Sequence, residues 1–257
     1  MLKKIVVIED EEQLGKLIQA FLEKHDYKIS YVKDGDSALQ TIREVKPDLI
    51  LTDLLLPGVH GFDICKATKA DAQLAHIPLM VMSAVYKTAR DKYEAQRMGV
   101  DAFVEKPLNF HELLLTINRL TGIEDQLGGK TASVSNKTPG HNLDREILKL
   151  QRDYADQLPE KIEIMEHLWS SIQTSDNNEK RLTKLRRLAH KLCGSGETFG
   201  FDEITKYSRD LEEILDVIIL EGEHSLEKRK EAIDTILDNM RLHPMVTTGK
   251  QLRKMKL

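Results

Sequence analysis

Residues 48–58 read DLILTDLLLPG, an unbroken aliphatic run that closes on Thr52-Asp53 and passes into a Pro-Gly turn. A run with no polar alternation predicts a strand covered on both faces, as in a parallel sheet. Working outward, similar runs recur at KIVVI (4–8), KISYV (28–32), PLMVM (78–82) and AFVE (102–105). Amphipathic stretches lie between and after them, near 11–24, 35–45, 61–72, 88–98 and 109–120. Five consecutive β-α units predict an α/β fold with a doubly wound five-stranded parallel sheet.

Beyond this pattern the character changes. TGIEDQLGGKTASVSNKTPGH (121–141) is rich in Gly, Ser, Thr and Asn and reads as a flexible linker, the alternative being a long surface loop. The chain from 142 onward holds no convincing strand. Helical stretches are expected near 143–157, 159–173, 179–199, 201–221 and 225–242, with short breaks such as SDNN and EGEH. Leu182, Leu185, Ala189 and Leu192 follow an a/d spacing and predict one face of a helical bundle. The expected domains are 1–121, a linker at 122–141, an all-α bundle at 142–245 and a basic tail at 246–257.

Composition narrows the function classes. With 257 residues, 40% hydrophobic and 31% charged, the chain can bury more than one core. A net charge of -4 argues against wholesale nucleic-acid binding. Cys65 and Cys193 stand far apart with no Cys-x-x-Cys pair, which argues against a disulfide framework or a zinc site. The opening MLKKIVVIEDEEQ has too short an apolar run for a signal peptide, and no stretch approaches the roughly 18 apolar residues of a membrane span. The expectation is a cytoplasmic protein without membrane or nucleic-acid partners.

Ligands of doubly wound sheets bind at the carboxyl ends of the strands, where strand order reverses. The first run ends in Glu9-Asp10 and the third in Thr52-Asp53. If those strands are neighbours, three carboxylates converge on one rim. A hard divalent cation relieves their repulsion, and Mg2+ suits a few carboxylates with open positions for phosphate oxygens. Ser83 ends the fourth run and could donate to a phosphoryl oxygen; Lys106 follows the fifth and could pair with an anion. Pro107 invites a cis peptide that would aim the lysine. Together these groups suit phosphoryl transfer to a carboxylate, with Asp53 as nucleophile.

The stretches VVIEDEE, LTDLLLPGVHGFDIC, VMSAV and GVDAFVEKPLNFHEL resemble the receiver domain of two-component response regulators over essentially all of residues 1–120. The resemblance implies a flavodoxin-like fold, magnesium on Glu9 and Asp10 beside Asp53, phosphorylation of Asp53, and phosphoryl contacts from Ser83 and Lys106. The first acid is Glu rather than the usual Asp. Phe103 occupies the family's aromatic switch position, which implies coupling between the site and the face formed by the helix near 88–98, the strand at 102–105 and the helix near 109–120.

The other chemical signal is RRLAHKLCGSGETFGF (186–201). Its glycines at 194, 196 and 200 each cost about 1 kcal/mol in a helix interior, so space is needed there. Helical geometry puts His190 about 130° from the centre of the apolar seam, on an exposed flank. Gly194 lies one turn on and would clear room for a partner. A neutral imidazole is a competent phosphoryl acceptor. The segment resembles the histidine-containing phosphotransfer (HPt) domain, most closely the version in chemotaxis kinases, with His190 as acceptor. The lysine usual three residues after the histidine is Cys193 here. Arg186 and Arg187, on the same face, could supply the missing charge or dock an acidic receiver rim. Glu212 matches a glutamate that in chemotaxis-type domains bonds the histidine.

The leading expectation is therefore a phosphorelay protein, phosphorylated on Asp53 and His190, exchanging phosphoryl groups with a sensor histidine kinase or other receivers and carrying no ATP-binding kinase domain of its own. The alternative is a phosphorylation-regulated binding module in which the receiver gates the helical domain and His190 carries no phosphate.

Overall fold

The computed structural model describes residues 2–84, 97–123, 141–174, 178–244 and 246. Nearly all of the expected linker, nearly all of the helix expected at 88–98 and all but the first residue of the expected tail lie outside the described residues. The chain forms two compact units, 1–150 and 151–257.

In the first unit, strands β1 (Lys3–Ile8), β2 (Tyr27–Val32), β3 (Leu49–Asp53), β4 (Leu79–Ser83) and β5 (Ala102–Glu105) pair in the order β2-β1-β3-β4-β5, all parallel. Ile5 to Ile8, Leu49 to Leu51 and Leu79 to Met82 are fully buried, as expected of strands covered on both faces. One covering layer packs Ala38, Ile42, Ile64 and Cys65 against Val6, Ile8, Ile50 and Val81. Helices α1 (Glu12–Lys24), α2 (Gly35–Val45), α3 (Gly61–Ala70) and α4 (Phe110–Thr121) follow the strands. Their ends obey local chemistry: Asp34 accepts from Ser37 N–H at 2.8 Å, Asn109 accepts from His111 and Glu112 N–H, and Gly122 closes α4 at φ 68°.

This order places the reversal between β1 and β3, because the chain leaves β1 for β2 on one side and later returns to β3 on the other. Glu9-Asp10 and Asp53 therefore meet at one crevice. Gly61 sharpens it: a Cβ there would lie 2.2 Å from the Asp53 carbonyl oxygen, so only glycine lets α3 start this close to the strand end.

The second unit is helical. Helix α5 (His141–Gln173) begins before the unit boundary, followed by α6 (Glu179–Ser195), a 3-10 turn (Glu197–Phe199), α7 (Asp202–Glu221) and α8 (Glu223–Leu242). Two helices were expected before 174, separated near residue 158; there is one, with Pro159 inside it. Proline costs a helix interior about 3 kcal/mol. Here the seam Tyr154, Leu158, Ile162, Met165 and Trp169 stays buried at helical spacing across the proline, and that burial holds the helix continuous. The helix expected over 179–199 instead ends at Ser195. Gly196 is needed for packing, since a Cβ there would lie 2.5 Å from Thr205 Oγ1 of α7, and Gly200 turns the chain at φ 86°. Tyr154 ties α5 to this corner, donating to Ser195 Oγ at 2.8 Å and stacking on Phe199 at 4.4 Å. Val246 is fully buried.

Candidate functional site

At the crevice, oxygens of Glu9, Asp10 and Asp53 lie within 4.8 Å of one another. Lys106 reaches in from the end of β5, donating to Glu9 Oε2 at 2.7 Å and to Asp53 Oδ2 at 2.8 Å. Its backbone N–H donates to the Ser83 carbonyl at 2.9 Å, and the Lys106–Pro107 peptide is cis, as expected. Leu55 N–H approaches Asp53 Oδ1 at 3.3 Å. Glu9, Asp53, Ser83 and Lys106 are all buried, while Asp10 is partly exposed.

Three carboxylates face one ammonium, and all of these groups but Asp10 are buried. Burial pushes the Glu9 carboxyl up to about 8, with Asp53 adding to the rise, and the ammonium of Lys106 only partly offsets this. Burial also disfavours the Lys106 charge, yet Asp53 and Glu9 outweigh it and hold the ammonium above the ordinary lysine range. The pocket thus favours one more positive charge, a proton on Glu9 or a cation in its place. An all-oxygen carboxylate donor set fits a hard divalent ion. Phe103 packs, partly buried, against the apolar layer formed with α2 and α3.

In the helical unit His190 is 3% exposed, not on an exposed flank. The apolar seam was read on α6 alone, and α7 covers the neighbouring face, contributing the buried Glu212. His190 Nδ1 lies 2.9 Å from Glu212 Oε1. Arg186 is engaged by Asp216 and lies 3.5 Å from Glu212. Cys193 and Gly194 are buried on α6, and Arg187 is half-buried on the same helix.

The model of the response regulator receiver domain matches residues 5–118, and that of the Hpt domain matches 149–247. The chain is 33% identical over 122 residues to the polar-differentiation response regulator DivK of Brucella anthropi, covering 98% of that protein and 48% of its own length. The chain belongs to the response regulator receiver family. This response regulator is also 30% identical over 149 residues to the DNA-binding response regulator MtrA of Mycolicibacterium smegmatis, using 57% of its own length and spanning 64% of that relative. Among solved structures, the chemotaxis response regulator CheY4 of Vibrio cholerae matches with TM-score 0.45 and 23% identity, over 47% of this chain and 99% of that one.

The five residues expected at the crevice of this response regulator all fall within the receiver match, and His190 and Glu212 within the Hpt match. Two contributors were not anticipated. Tyr31 donates from its hydroxyl to the Glu9 carbonyl at 2.9 Å, across a gap that Gly15 leaves open. Asp216 engages Arg186. A glycine in mid-helix was a visible signal for the first; an ordinary acid on a helix face carried none for the second. Among the described residues, no helix is long and apolar enough to cross a membrane.

Proposed function

We propose that this response regulator is a phosphorelay protein that accepts a phosphoryl group on Asp53 and on His190 and exchanges it with sensor histidine kinases or other receivers. The observation that carries this reading is the bond from buried Lys106 to Asp53 at the sheet's reversal point, on the same chain as a buried histidine bonded to a glutamate. An Asp53 oxygen attacks phosphorus, the bond from phosphorus to the donor's leaving group breaks, and an acyl phosphate forms. Lys106 is placed to follow the new charge, and Ser83 lies at the adjoining strand end. Held by Glu9, Asp10 and Asp53, magnesium would neutralise charge on the phosphoryl oxygens.

In the second exchange the lone pair of His190 Nε2 attacks the phosphorus of an acyl phosphate, and the aspartate leaves as carboxylate. The positive charge left on the ring is stabilised by Glu212 at Nδ1.

The test is phosphate occupancy and its acid or base lability in wild type, Asp53→Ala and His190→Gln, with a small phosphodonor and magnesium. A base-labile phosphate lost in the Asp53 variant supports the receiver chemistry. An acid-labile, base-stable phosphate lost in the His190 variant supports the relay. Base-labile phosphate alone, even with kinases added, would instead mark a binding module gated by its receiver.

A further inference from the structure

Helices α6 and α7 assemble four side chains into one charged series that ends on His190. Nδ1 of His190 lies 2.9 Å from Glu212 Oε1, and the same oxygen lies 3.5 Å from Arg186 Nη2. Arg186 is gripped in turn by Asp216, Nε on Oδ1 and Nη2 on Oδ2 at 3.3 Å. Arg186 and His190 are one turn apart on α6, Glu212 and Asp216 one turn apart on α7. The series therefore crosses the same helix pair three times in a single register.

Two physical points follow. A two-point carboxylate grip fixes the plane of a guanidinium, and that plane decides where Nη2 is presented. The series also dries inward: side-chain exposure falls from 48% at Asp216 to 25% at Arg186, 8% at Glu212 and 4% at His190. Electrostatic coupling strengthens as water is excluded, so the inner links respond most to how the outer ones are set. A carboxylate flanked by a guanidinium acts as an acceptor, so the ring nitrogen facing it must donate.

We propose that Asp216 and Arg186 are positioning residues for His190, acting through Glu212 to select the Nδ1–H tautomer and leave the Nε2 lone pair for phosphorus. The proposal rests on the reading of His190 as a phosphoacceptor. It gives Arg186 a task other than binding phosphate or docking a receiver, since its guanidinium is committed to two carboxylates. It also supplies a fixed cation near the histidine in a chain where the position three residues on is a buried cysteine.

The test uses the full chain labelled with 15N-histidine, with His190→Gln to assign the signal. The tautomer is read from the ring nitrogen shifts, and the rate of acid-labile phosphate formation is followed with phosphoramidate. Nδ1–H is expected in wild type. Asp216→Asn and Arg186→Gln should shift the ring toward a tautomer mixture and slow phosphorylation roughly tenfold, with Arg186→Lys in between. Unchanged ring signals in both Asp216→Asn and Arg186→Gln would overturn the proposal; should Arg186→Gln fail to fold, the half-exposed Asp216 variant decides alone. If the ring signals move as expected but no chain, wild type included, acquires phosphate on His190, the positioning series stands and the acceptor reading falls.

Discussion

The receiver crevice and the histidine site solve one problem in two ways. Asp53 and His190 are both buried, at 4% and 3% exposure, and each is bonded to an ionisable partner. At the crevice the partner Lys106 comes from 53 residues away and arrives because parallel strands deliver their carboxyl ends to one rim. In the helical unit Glu212 is 22 residues from His190, and the two meet only because α6 and α7 pack with particular faces together. Strand order makes convergence a matter of topology. Helix pairing makes it a matter of rotation about two axes, which a single helix cannot reveal.

The sharpest way to break the comparison is to remove the proposed acceptor at the crevice. Asp53→Ala should abolish base-labile phosphate while leaving the His190 ring signals unchanged, read by gel mobility and 15N spectra. Crosstalk between them would mean the two sites are not set independently.

Next in size, Lys106→Met should leave Asp53 buried without its cation and destabilise the first unit by about 3–5 kcal/mol in urea, with magnesium recovering part of the loss. The same imbalance gives a pH signature. Glu9 is raised from 4.5 to about 8, so the folded state holds a proton that the unfolded chain releases. In the metal-free chain this contribution is complete below about 4.5 and is lost as pH rises through about 8; magnesium, competing for the same oxygens, should flatten the slope. A metal-free urea midpoint that rises across that window would contradict the assignment.

Smaller effects test packing. Gly61→Ala should cost roughly 1–3 kcal/mol and slow Asp53 phosphorylation, because the added methyl displaces the strand end. Tyr154→Phe, which removes the hydroxyl bond to Ser195, should cost about 1 kcal/mol by thermal unfolding and leave receiver phosphorylation untouched.

The crevice was more legible than the histidine site, and particular residues show why. Glu9, Asp10, Asp53, Ser83 and Lys106 each follow an aliphatic run, so locating the strands located them too. His190 was readable as a residue of interest from the glycines after it, but its exposure was misjudged because the covering face belongs to α7. Gly196 and Gly200 serve the junction of α6 and α7, the first by close packing and the second by its left-handed turn.

The amino-acid sequence by itself determined the parallel sheet, the acids at its strand ends and the helical character of the second unit. Those follow from period and local chemistry, which act over a few residues. Only the tertiary structure decided that α5 runs through Pro159, that His190 is buried, and that Asp216 grips Arg186. Each depends on which apolar faces are buried together, and that choice is made by packing energy summed over whole helices.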